Sequence, residues 1–469
     1  MRRPAYERAR IATGIVHFGP GAFHRAHVAW FIEQLLTHDA RWGICGVSLR
    51  SAELRDALAP QDNLYTQVSL GSETPYQVIG ALMQLLVAPE SPEAVLQRLA
   101  DPATRIVTIT VTEKGYCLDG SGNLDLARSD VQRDLRQPYA PATVHGYLLE
   151  ALRRRRLAGH APLTIISCDN LSGNGLLLGR AVRQMAYLLD RSLARWIEEQ
   201  VRFPRTMVDS ITPATTGALR EQVTAALGLE DRWPVQRESF VEWVMESLPG
   251  EDGPDWARAG VILTDDVGAH ERAKLRLLNG AHSSLAYIGL LRGHRTVAQA
   301  MADPAIGTFV ETLMREDILP TLHAPRGLDL PQYIDSILKR FRNPALEHAL
   351  EQIAWDGSQK LPVRLLGTVS DTLAAGRPLE RLCVPIAAWM GFVRLKARAA
   401  APLVDPLAER LLELGRASQG QAASDLPAFL ALPGVFPAAL AASEPFRKAL
   451  AHAYDMLARE DSSLGRALG

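Results

Sequence analysis

Cysteine is scarce in this sequence, with four residues in a chain of 469. Cys45, Cys117, Cys168 and Cys383 are scattered, and no two of them have the spacing of a metal-binding or disulfide-rich module. The first three lie in or beside apolar, strand-like segments, so we expect buried free thiols in a reducing compartment. The scarcity of cysteine argues against a disulfide-stabilised secreted domain and against a cysteine-ligated metal site.

Long apolar runs and a charge imbalance are also missing. No segment approaches the roughly 18 consecutive apolar residues that indicate a membrane-spanning helix, and the charged N-terminal stretch is not followed by a signal-peptide core. The formal net charge is −1, which argues against a general attraction to nucleic acid or acidic membranes. The basic run Arg153–Arg156 ends a helix-like stretch just before a glycine, where cations favour a helix C-terminus. We therefore predict a cytoplasmic protein, a monomer or small homo-oligomer, whose partner is a small molecule.

What the chain does contain is the composition of a globular protein, with 47% apolar and 22% charged residues. Its length exceeds one compact core and predicts two domains, with three as the alternative. The first half alternates short apolar strands with amphipathic helices, and several strands are almost wholly apolar, as expected for strands buried on both faces of a parallel sheet. The predicted strands are Gly14–Phe18, Trp42–Leu49, Arg105–Val111, Leu163–Cys168, Thr206–Ile211 and Gly260–Leu263. The predicted helices between them include Phe23–Leu36, Pro92–Leu99, Thr143–Arg156 and Leu176–Leu189.

Strand signals nearly vanish after about residue 266, where long leucine- and alanine-rich segments follow. We therefore predict an α/β protein with a doubly wound domain over residues 1–265 and a mostly helical domain over residues 266–469. In such a protein a ligand is expected in the cleft between the domains, at the carboxyl ends of the strands.

A glycine turn follows the first predicted strand. Gly19 and Gly21 lie between that strand and the next helix, where a tight turn lets a phosphate approach the backbone at the helix N-terminus. His24 stands where a dinucleotide fingerprint has its third glycine, so a purely structural turn is the alternative. Arg25 either reaches a cofactor phosphate or is a solvated helix residue.

The second predicted strand ends without the acidic residue that commonly binds the adenosine ribose. Arg50 stands there instead. It is suited to a 2′-phosphate, and hence to NADP, or to stacking on adenine, or to facing solvent. The choice between NAD and NADP stays open on the sequence.

A polar face opens the second half of the chain, on a segment that we predict to be helical. At about 100° per residue and with Lys274 at zero, Glu271 lies near 60°, His282 near 80° and Asn279 near 140°. Alcohol oxidation needs a base for the hydroxyl proton, which a lysine supplies when it is buried beside positive charge, and amide donors for the forming alkoxide. The alternative is a solvated face with a Glu–Lys pair. Gly280 within this helix costs about 1 kcal/mol relative to alanine, which suggests that another group approaches closely there.

Polar residues also follow two predicted strands of the first half and lie within a third. Glu113 and Lys114 come after Arg105–Val111, Asn170 comes after Leu163–Cys168, and Asp209 lies in the next strand. Each is compatible with loop chemistry or helix capping, but the carboxyl ends of parallel strands meet at one edge of a sheet.

Six segments together resemble the polyol-specific long-chain dehydrogenases, the family of mannitol 2-dehydrogenase and fructuronate reductase. They are IVHFGPGAFHRAH (Ile15–His27), ALAPQDNLYT (Ala57–Thr66), TVTEKGY (Thr110–Tyr116), ISCDNLSGNG (Ile166–Gly175), MVDSITPATT (Met207–Thr216) and KLRLLNGAHS (Lys274–Ser283). The resemblance implies a Rossmann-type N-terminal domain, a helical C-terminal domain and metal-independent hydride transfer with NAD, NADP being possible.

The resemblance also implies roles for individual residues. Lys274 is expected to be the general acid/base, Asn170 and Asn279 to hold the reacting oxygen, His282 to orient the substrate, and Glu271 to relay protons to water. Asp209, Arg340 and Lys360 are expected to bind substrate. The residues expected to line the cofactor site are Phe18, Gly19, Gly21, Phe23, Arg25, Arg50, Glu113 and Lys114.

Two substrate classes fit this pattern. A neutral polyol/ketose pair such as mannitol and fructose needs only hydroxyl ligands, whereas a hexuronate such as fructuronate brings a carboxylate that Arg340, Lys360 or Arg364 could bind. Ser210 replaces an arginine that many relatives have after the strand aspartate, which bears on this choice. A catalytically silent dinucleotide sensor is the alternative from another class, although a binding module has no need of a proton-transfer lysine.

Overall fold

The computed structural model describes residues 1–248, 253–346 and 348–458. The chain divides into two compact units, Met1–Gly268 and Ala269–Gly469, so the division falls three residues after the predicted boundary at residue 265. The strands, in chain order, are β1 Ile15–Phe18, β2 Ile44–Ser48, β3 Tyr65–Leu70, β4 Tyr76–Ile79, β5 Leu82–Val87, β6 Ile106–Ile109, β7 Thr164–Ser167, β8 Thr206–Asp209, β9 Val235–Glu238, β10 Glu242–Glu246 and β11 Ile262–Thr264.

A five-stranded parallel sheet organises the first unit, in the order β5-β2-β1-β6-β7. Successive β1 residues belong to two different cores, Ile15 to one and Val16 to the other, because neighbouring side chains point to opposite faces. The sheet is therefore covered on both faces, and the predicted doubly wound architecture is confirmed.

Two of the predicted strands lie outside this sheet. β8 and β11 flank β10 in a three-stranded sheet, where β8 runs antiparallel to β10 and β11 parallel to it. A second small sheet has the order β4-β3-β9. The assignment of β8 and β11 to the parallel sheet was wrong because their partner β10, with the sequence EWVME, was not recognised as a strand.

Helices cover the sheets of the first unit. They are α1 Ala22–Ala26, α2 Val28–Leu36, α3 Glu53–Leu58, α4 Pro92–Ala100, α5 Ser129–Arg136, α6 Val144–Ala158, α7 Asn174–Leu189, α8 Arg191–Gln200 and α9 Gly217–Leu227, the last of which packs on the β4-β3-β9 sheet. The helix predicted over Phe23–Leu36 is divided at His27, whose Nε2 lies 2.8 Å from the Glu242 carbonyl oxygen. The run Arg153–Arg156 does end α6, which Gly159 terminates with φ +68°, so the helix-end interpretation is confirmed.

The second unit is helical. After α10 Val267–Ala273 come π-helical residues Lys274–Asn279, and then α11 Gly280–Leu291, α12 Val297–Ala302, α13 Pro304–Thr312, α14 Leu330–Phe341, α15 Leu350–Ala354, α16 Gly357–Leu361, α17 Gly367–Ala374, α18 Glu380–Arg398, α19 Ala408–Ala417, α20 Ala422–Leu430, α21 Ala438–Ala442 and α22 Glu444–Ala458. Two further π-helical segments are Leu313–Ile318 and Pro362–Leu366. The long helix α18 packs against α11, α19 and α22. None of the helices described is both long and apolar enough to cross a membrane.

The prediction that the cysteines are buried free thiols is confirmed. Cys45, Cys117, Cys168 and Cys383 are all buried and free. Burial raises the pKa of the Cys45 thiol to about 12 and that of Cys117 to about 11, so these side chains behave as small apolar core residues rather than as nucleophiles.

Candidate active site

The glycine turn lies at the carboxyl end of β1, between β2 and β6. Gly19 has φ +86°, and a Cβ there would overlap the carbonyl oxygen of Thr110, so the position requires glycine. Thr110 Oγ1 donates to the Gly19 carbonyl oxygen at 2.8 Å. A Cβ at Gly21 would meet nothing nearer than 3.9 Å, so the backbone there is open to an approaching group. This cradle fits a dinucleotide phosphate.

The histidines of the turn are buried inside the fold. His17 Nδ1 lies 2.8 Å from Thr108 Oγ1, its Nε2 lies 2.9 Å from Thr110 Oγ1, and its ring stacks on His24 at 3.5 Å. Burial lowers the pKa of His17 to about 3, so this ring is neutral at physiological pH. His24, in place of the third glycine, is fully buried beneath the turn and supports it from within.

Arg25 and Arg50 occupy different environments. Arg25 is 1% exposed, and its Nη1 donates to the Trp233 carbonyl oxygen at 2.5 Å, with the guanidinium over the ring of Tyr65. The solvated alternative for Arg25 is wrong, because distant residues enclose its side chain. We therefore leave Arg25 out of the proposed phosphate site. Arg50 is exposed just after β2.

The carboxyl ends of β6 and β7 are joined by one carboxylate. Asp169 Oδ2 accepts the backbone N–H of Val111 at 3.0 Å, and Oδ1 accepts that of Thr112 at 2.9 Å. Tyr116 donates its hydroxyl to the same carboxylate at 3.0 Å. Asn170 follows directly, so two predicted site segments, Glu113–Lys114 and Asn170, extend from one hydrogen-bonded network.

Asp209 occupies the carboxyl end of β8 and is 6% exposed. The side chain of Asn174 ties the start of this strand to the loop after β7. Its Oδ1 accepts the N–H of Thr206 at 3.0 Å, and its Nδ2 donates to the Asp169 carbonyl oxygen at 3.1 Å. The loop that carries Asn170 is therefore held at both ends.

The polar face of the second unit lies on a π-helix rather than on one α-helix. Residues Lys274–Asn279 form i→i+5 hydrogen bonds, so residues five apart are one turn apart. Lys274 and Asn279 are five apart and therefore share a face, whereas an α-helix separates them by about 140°. The prediction of an uninterrupted α-helix was wrong in this respect. Lys274 and Asn279 are 8% and 9% exposed, which argues against the solvated-face alternative.

His282 lies one turn further on, in α11, and is 7% exposed. Its ring packs on Phe341 at 4.4 Å and on His348 at 5.2 Å. Burial, followed by the charges of His348, Arg340 and Arg364, lowers the pKa of His282 well below its usual value. The ring is therefore neutral near pH 7. Its Nε2 is buried and has no hydrogen-bond partner within the described residues, as expected for a nitrogen that meets a substrate hydroxyl.

Cationic side chains gather near His282. Arg340 is buried in α14, and Lys360 of α16 donates to the Ile353 carbonyl oxygen at 3.4 Å. Arg364, on the π-helical segment Pro362–Leu366, donates to Ser283 Oγ at 3.2 Å. No carboxylate lies within 4.0 Å of the Arg364 guanidinium in the part of the chain that the structure describes. His348 is a neighbour of His282 that the sequence did not single out, since no motif marks it.

The close approach predicted at Gly280 is confirmed. A Cβ at this position would lie 2.9 Å from the backbone carbonyl oxygen of Arg364, which belongs to the neighbouring π-helical segment. A backbone atom cannot rotate away as a side chain can. Glycine therefore permits the two π-helical segments to pack together.

Replacing Gly280 with alanine is expected to destabilise the protein despite the better helix propensity of alanine. Overpacking costs about 1–3 kcal/mol, against a propensity gain of about 1 kcal/mol. We expect a lower melting temperature in a thermal scan. Gly367→Ala is the matched control, because a Cβ there meets nothing nearer than 3.7 Å. Equal melting temperatures for the two variants would contradict the packing argument.

Among residues 1–248, 253–346 and 348–458, no group of three or more His, Cys, Asp or Glu side chains is placed to hold a metal ion. The side chains brought together in each unit are instead amides, a lysine, histidines and arginines. This donor set suits proton transfer and hydroxyl binding.

Comparison with known proteins identifies the family. The model of the mannitol dehydrogenase Rossmann domain matches residues 13–257, and that of the mannitol dehydrogenase C-terminal domain matches residues 266–458. The chain is 40% identical to the D-mannonate oxidoreductase of Escherichia coli over 97% of this chain and 96% of that protein. It is 39% identical to the polyol:NADP oxidoreductase of Gluconobacter oxydans over 92% of this chain and 90% of the relative.

A solved structure agrees over the full length. The mannitol 2-dehydrogenase of Pseudomonas fluorescens, in a ternary complex with NAD and D-mannitol, has a TM-score of 0.84 and 37% identity, and the match covers 100% of this chain and 96% of that one. The chain therefore belongs to the mannitol dehydrogenase family and is a nicotinamide-dependent oxidoreductase.

Proposed function

We propose that this protein reversibly oxidises a polyol to a ketose, with mannitol and fructose as the representative pair. The observation that carries the proposal is the buried set Lys274, Asn279 and His282 on one helical stretch of the second unit. It supplies a proton-transfer amine, an amide donor and a neutral imidazole without a competing hydrogen bond at Nε2. The nicotinamide cofactor accepts or supplies the hydride.

In the oxidation direction, neutral Lys274 removes the proton of the reacting hydroxyl at Nζ. The oxygen keeps the electron pair, Asn279 and Asn170 donate N–H groups to it, and the carbonyl forms as the hydride leaves carbon. Glu271 relays the proton from Lys274 to water. In reduction each transfer runs in reverse.

The remaining site residues are proposed to bind the substrate and the cofactor. His282, Asp209, Arg340 and Lys360 bind the substrate hydroxyls. The cofactor is held by Phe18, Gly19, Gly21, Phe23, Arg50, Glu113 and Lys114. Arg50 favours a 2′-phosphate, and one relative is named for NADP, so NADH and NADPH need to be compared directly. We further propose a cytoplasmic monomer or small homo-oligomer.

The test is an assay of NADH and NADPH oxidation with fructose and, separately, with fructuronate. Turnover of fructose supports the polyol proposal. Turnover of fructuronate alone supports the hexonate candidate described next. Cofactor binding without turnover of either substrate would contradict both and leave a silent sensor.

A sugar acid is the second candidate substrate, and Arg364 is the observation that favours it. This half-buried guanidinium has no carboxylate partner within 4.0 Å among the described residues, and it acts electrostatically on His282. A buried guanidinium is well suited to a substrate carboxylate, which it binds with charge-assisted hydrogen bonds. The relative named D-mannonate oxidoreductase is 40% identical.

Arg364→Leu separates the two candidates. Losing a hydrogen bond to a charged group costs about 1.5–3 kcal/mol, or roughly 10–150-fold. We expect kcat/KM for fructuronate to fall by this factor, and that for fructose to change far less. A loss of the same size for both substrates would show that Arg364 is not a carboxylate ligand. Arg377→Leu, at a half-buried arginine beyond α17, is the control for a general effect of arginine removal.

A further inference from the structure

The carboxylate of Asp169, in the first unit, has no role in the chemistry proposed above. Its hydrogen bonds come from two backbone amides and a tyrosine hydroxyl, and no lysine or arginine lies within 4.0 Å of it in the described chain. Backbone and hydroxyl donors compensate the charge of this carboxylate. Asp169 thereby links the segments that follow two neighbouring parallel strands, β6 and β7.

The segment that Asp169 holds is strained. Thr112 has φ +67° and ψ 168°, a conformation that a residue with a β-branched side chain rarely adopts. Such a conformation persists where surrounding groups hold the backbone in place. The Asp169 carboxylate accepts the N–H groups of two successive peptides, Thr110–Val111 and Val111–Thr112. Tyr116 closes the loop by reaching back both to this carboxylate and to Ser167 Oγ.

The backbone of Asp169 is also hydrogen-bonded, and this bond restrains the neighbouring residue Asn170. The Asp169 carbonyl oxygen accepts from Asn174 Nδ2, and Asn174 also binds the backbone of Thr206 in β8. Asn170 therefore follows a residue whose side chain is bonded to the segment after β6 and whose carbonyl oxygen is bonded to the first residue of α7. Glu113, on the opposite end of the network, directly follows the strained Thr112.

We propose that Asp169 is a positioning residue that sets two parts of the reaction site together: the Thr112–Lys114 segment beside the cofactor, and Asn170 beside the reacting oxygen. This inference rests on the proposed function of those residues. The geometry requires an acceptor at both carboxylate oxygens. Asparagine has the same shape but presents an NH₂ group to one of the two backbone N–H donors, so it releases one of them.

The experiment compares Asp169→Asn with Asp134→Asn in the full chain. Asp134 has the same local chemistry, since it accepts the N–H of Ala142 and the N–H and hydroxyl of Thr143, but it lies in α5 and holds the loop before α6. Amide hydrogen exchange, NADH binding by fluorescence, and steady-state kinetics are measured for both variants. If Asp169 had only a structural role, the two variants should show the same changes in hydrogen exchange, NADH binding and kinetics.

For Asp169→Asn we expect faster exchange in residues 110–116, weaker NADH binding, and a kcat that falls by up to about a hundredfold, the cost of a misplacement of about 1 Å. The KM for the sugar should change little, since Asp169 does not contact it in this proposal. Asp134→Asn should alter exchange only near Ala142 and Thr143 and leave kcat unchanged. Asp169→Glu, which keeps both acceptors, should recover part of the lost rate.

Wild-type kcat and wild-type NADH affinity in Asp169→Asn would overturn the inference, as would an equal kinetic loss in Asp134→Asn. Exchange and NADH binding do not require turnover. If the wild-type protein turns over neither sugar, the proposed function fails, while these two measurements still decide whether Asp169 sets the cofactor-side segment.

Discussion

Replacing Lys274 with alanine should lower kcat by up to about 10⁴-fold while leaving NADH binding intact, because general acid–base catalysis contributes about 10²–10⁴-fold. Lys274 belongs to the helical second unit, whereas the glycine turn at Gly19 and Gly21 belongs to the first. Loss of the amine removes the proposed acceptor of the hydroxyl proton and leaves the proposed cofactor cradle unchanged. Steady-state kinetics and fluorescence titration with NADH measure the two effects separately.

A small primary amine in the buffer provides a sharper test of the same role. If Lys274 acts through its amine, methylamine should restore part of the activity of Lys274→Ala in proportion to its neutral form. Lys339→Ala is the control, since Lys339 is exposed on α14 of the same unit. Full activity in Lys274→Ala, or a comparable loss in Lys339→Ala, would refute the proton-transfer role.

The sequence predicted the features that depend on local periodicity. Apolar runs identified β1, β2, β6 and β7, which form most of the parallel sheet. The cost of glycine inside a helix pointed to close packing at Gly280, and the backbone of Arg364 is the group that approaches. These inferences succeeded because both features are local sequence patterns. A strand buried on two faces is a continuous apolar run, and a glycine inside a helix is visible directly.

Features that depend on distant partners could not be predicted in this way. The π-helical register of Lys274–Asn279 depends on hydrogen bonds and packing that the apolar pattern of the segment does not specify. The burial of Arg25 depends on Tyr65 and Trp233, which are remote in sequence. Asp169 follows one strand, β7, but its partners Val111 and Thr112 follow another, β6, which is distant in sequence.

The π-helix also changes the relative directions of the proposed proton acceptor, Lys274, and the proposed amide donor, Asn279. On a regular α-helix Lys274 and Asn279 point in directions about 140° apart, and one oxygen could not easily meet both. The i→i+5 register returns Asn279 to the face of Lys274, with both side chains buried. A proton acceptor and an amide donor are then available on one face, as removal of a proton from a hydroxyl requires. This agrees with the frequent use of π-helical turns at functional sites.

Asn279→Ala should lower kcat by about 10²–10³-fold, the usual effect of removing one donor from an oxyanion site. The amide matters most when negative charge develops on oxygen, so kcat should fall more than the KM for the sugar rises. Asn170→Ala should have a similar effect, and the double variant should lose less than the product of the single losses if both amides serve the same oxygen. Asn123→Ala, in the loop before α5, is the control and should retain wild-type kinetics, although its Oδ1 also accepts a hydrogen bond, from Gln184.

Asn279→Asp makes the same test more demanding, because it preserves shape and places a carboxylate where the alkoxide forms. Repulsion between the two negative charges should make this variant slower than Asn279→Ala in the oxidation direction. If Asn279 were only a packing residue of the π-helix, the isosteric aspartate would be the better tolerated of the two substitutions. The rank order of the two rates, with melting temperatures measured alongside, therefore distinguishes an electrostatic role from a structural one.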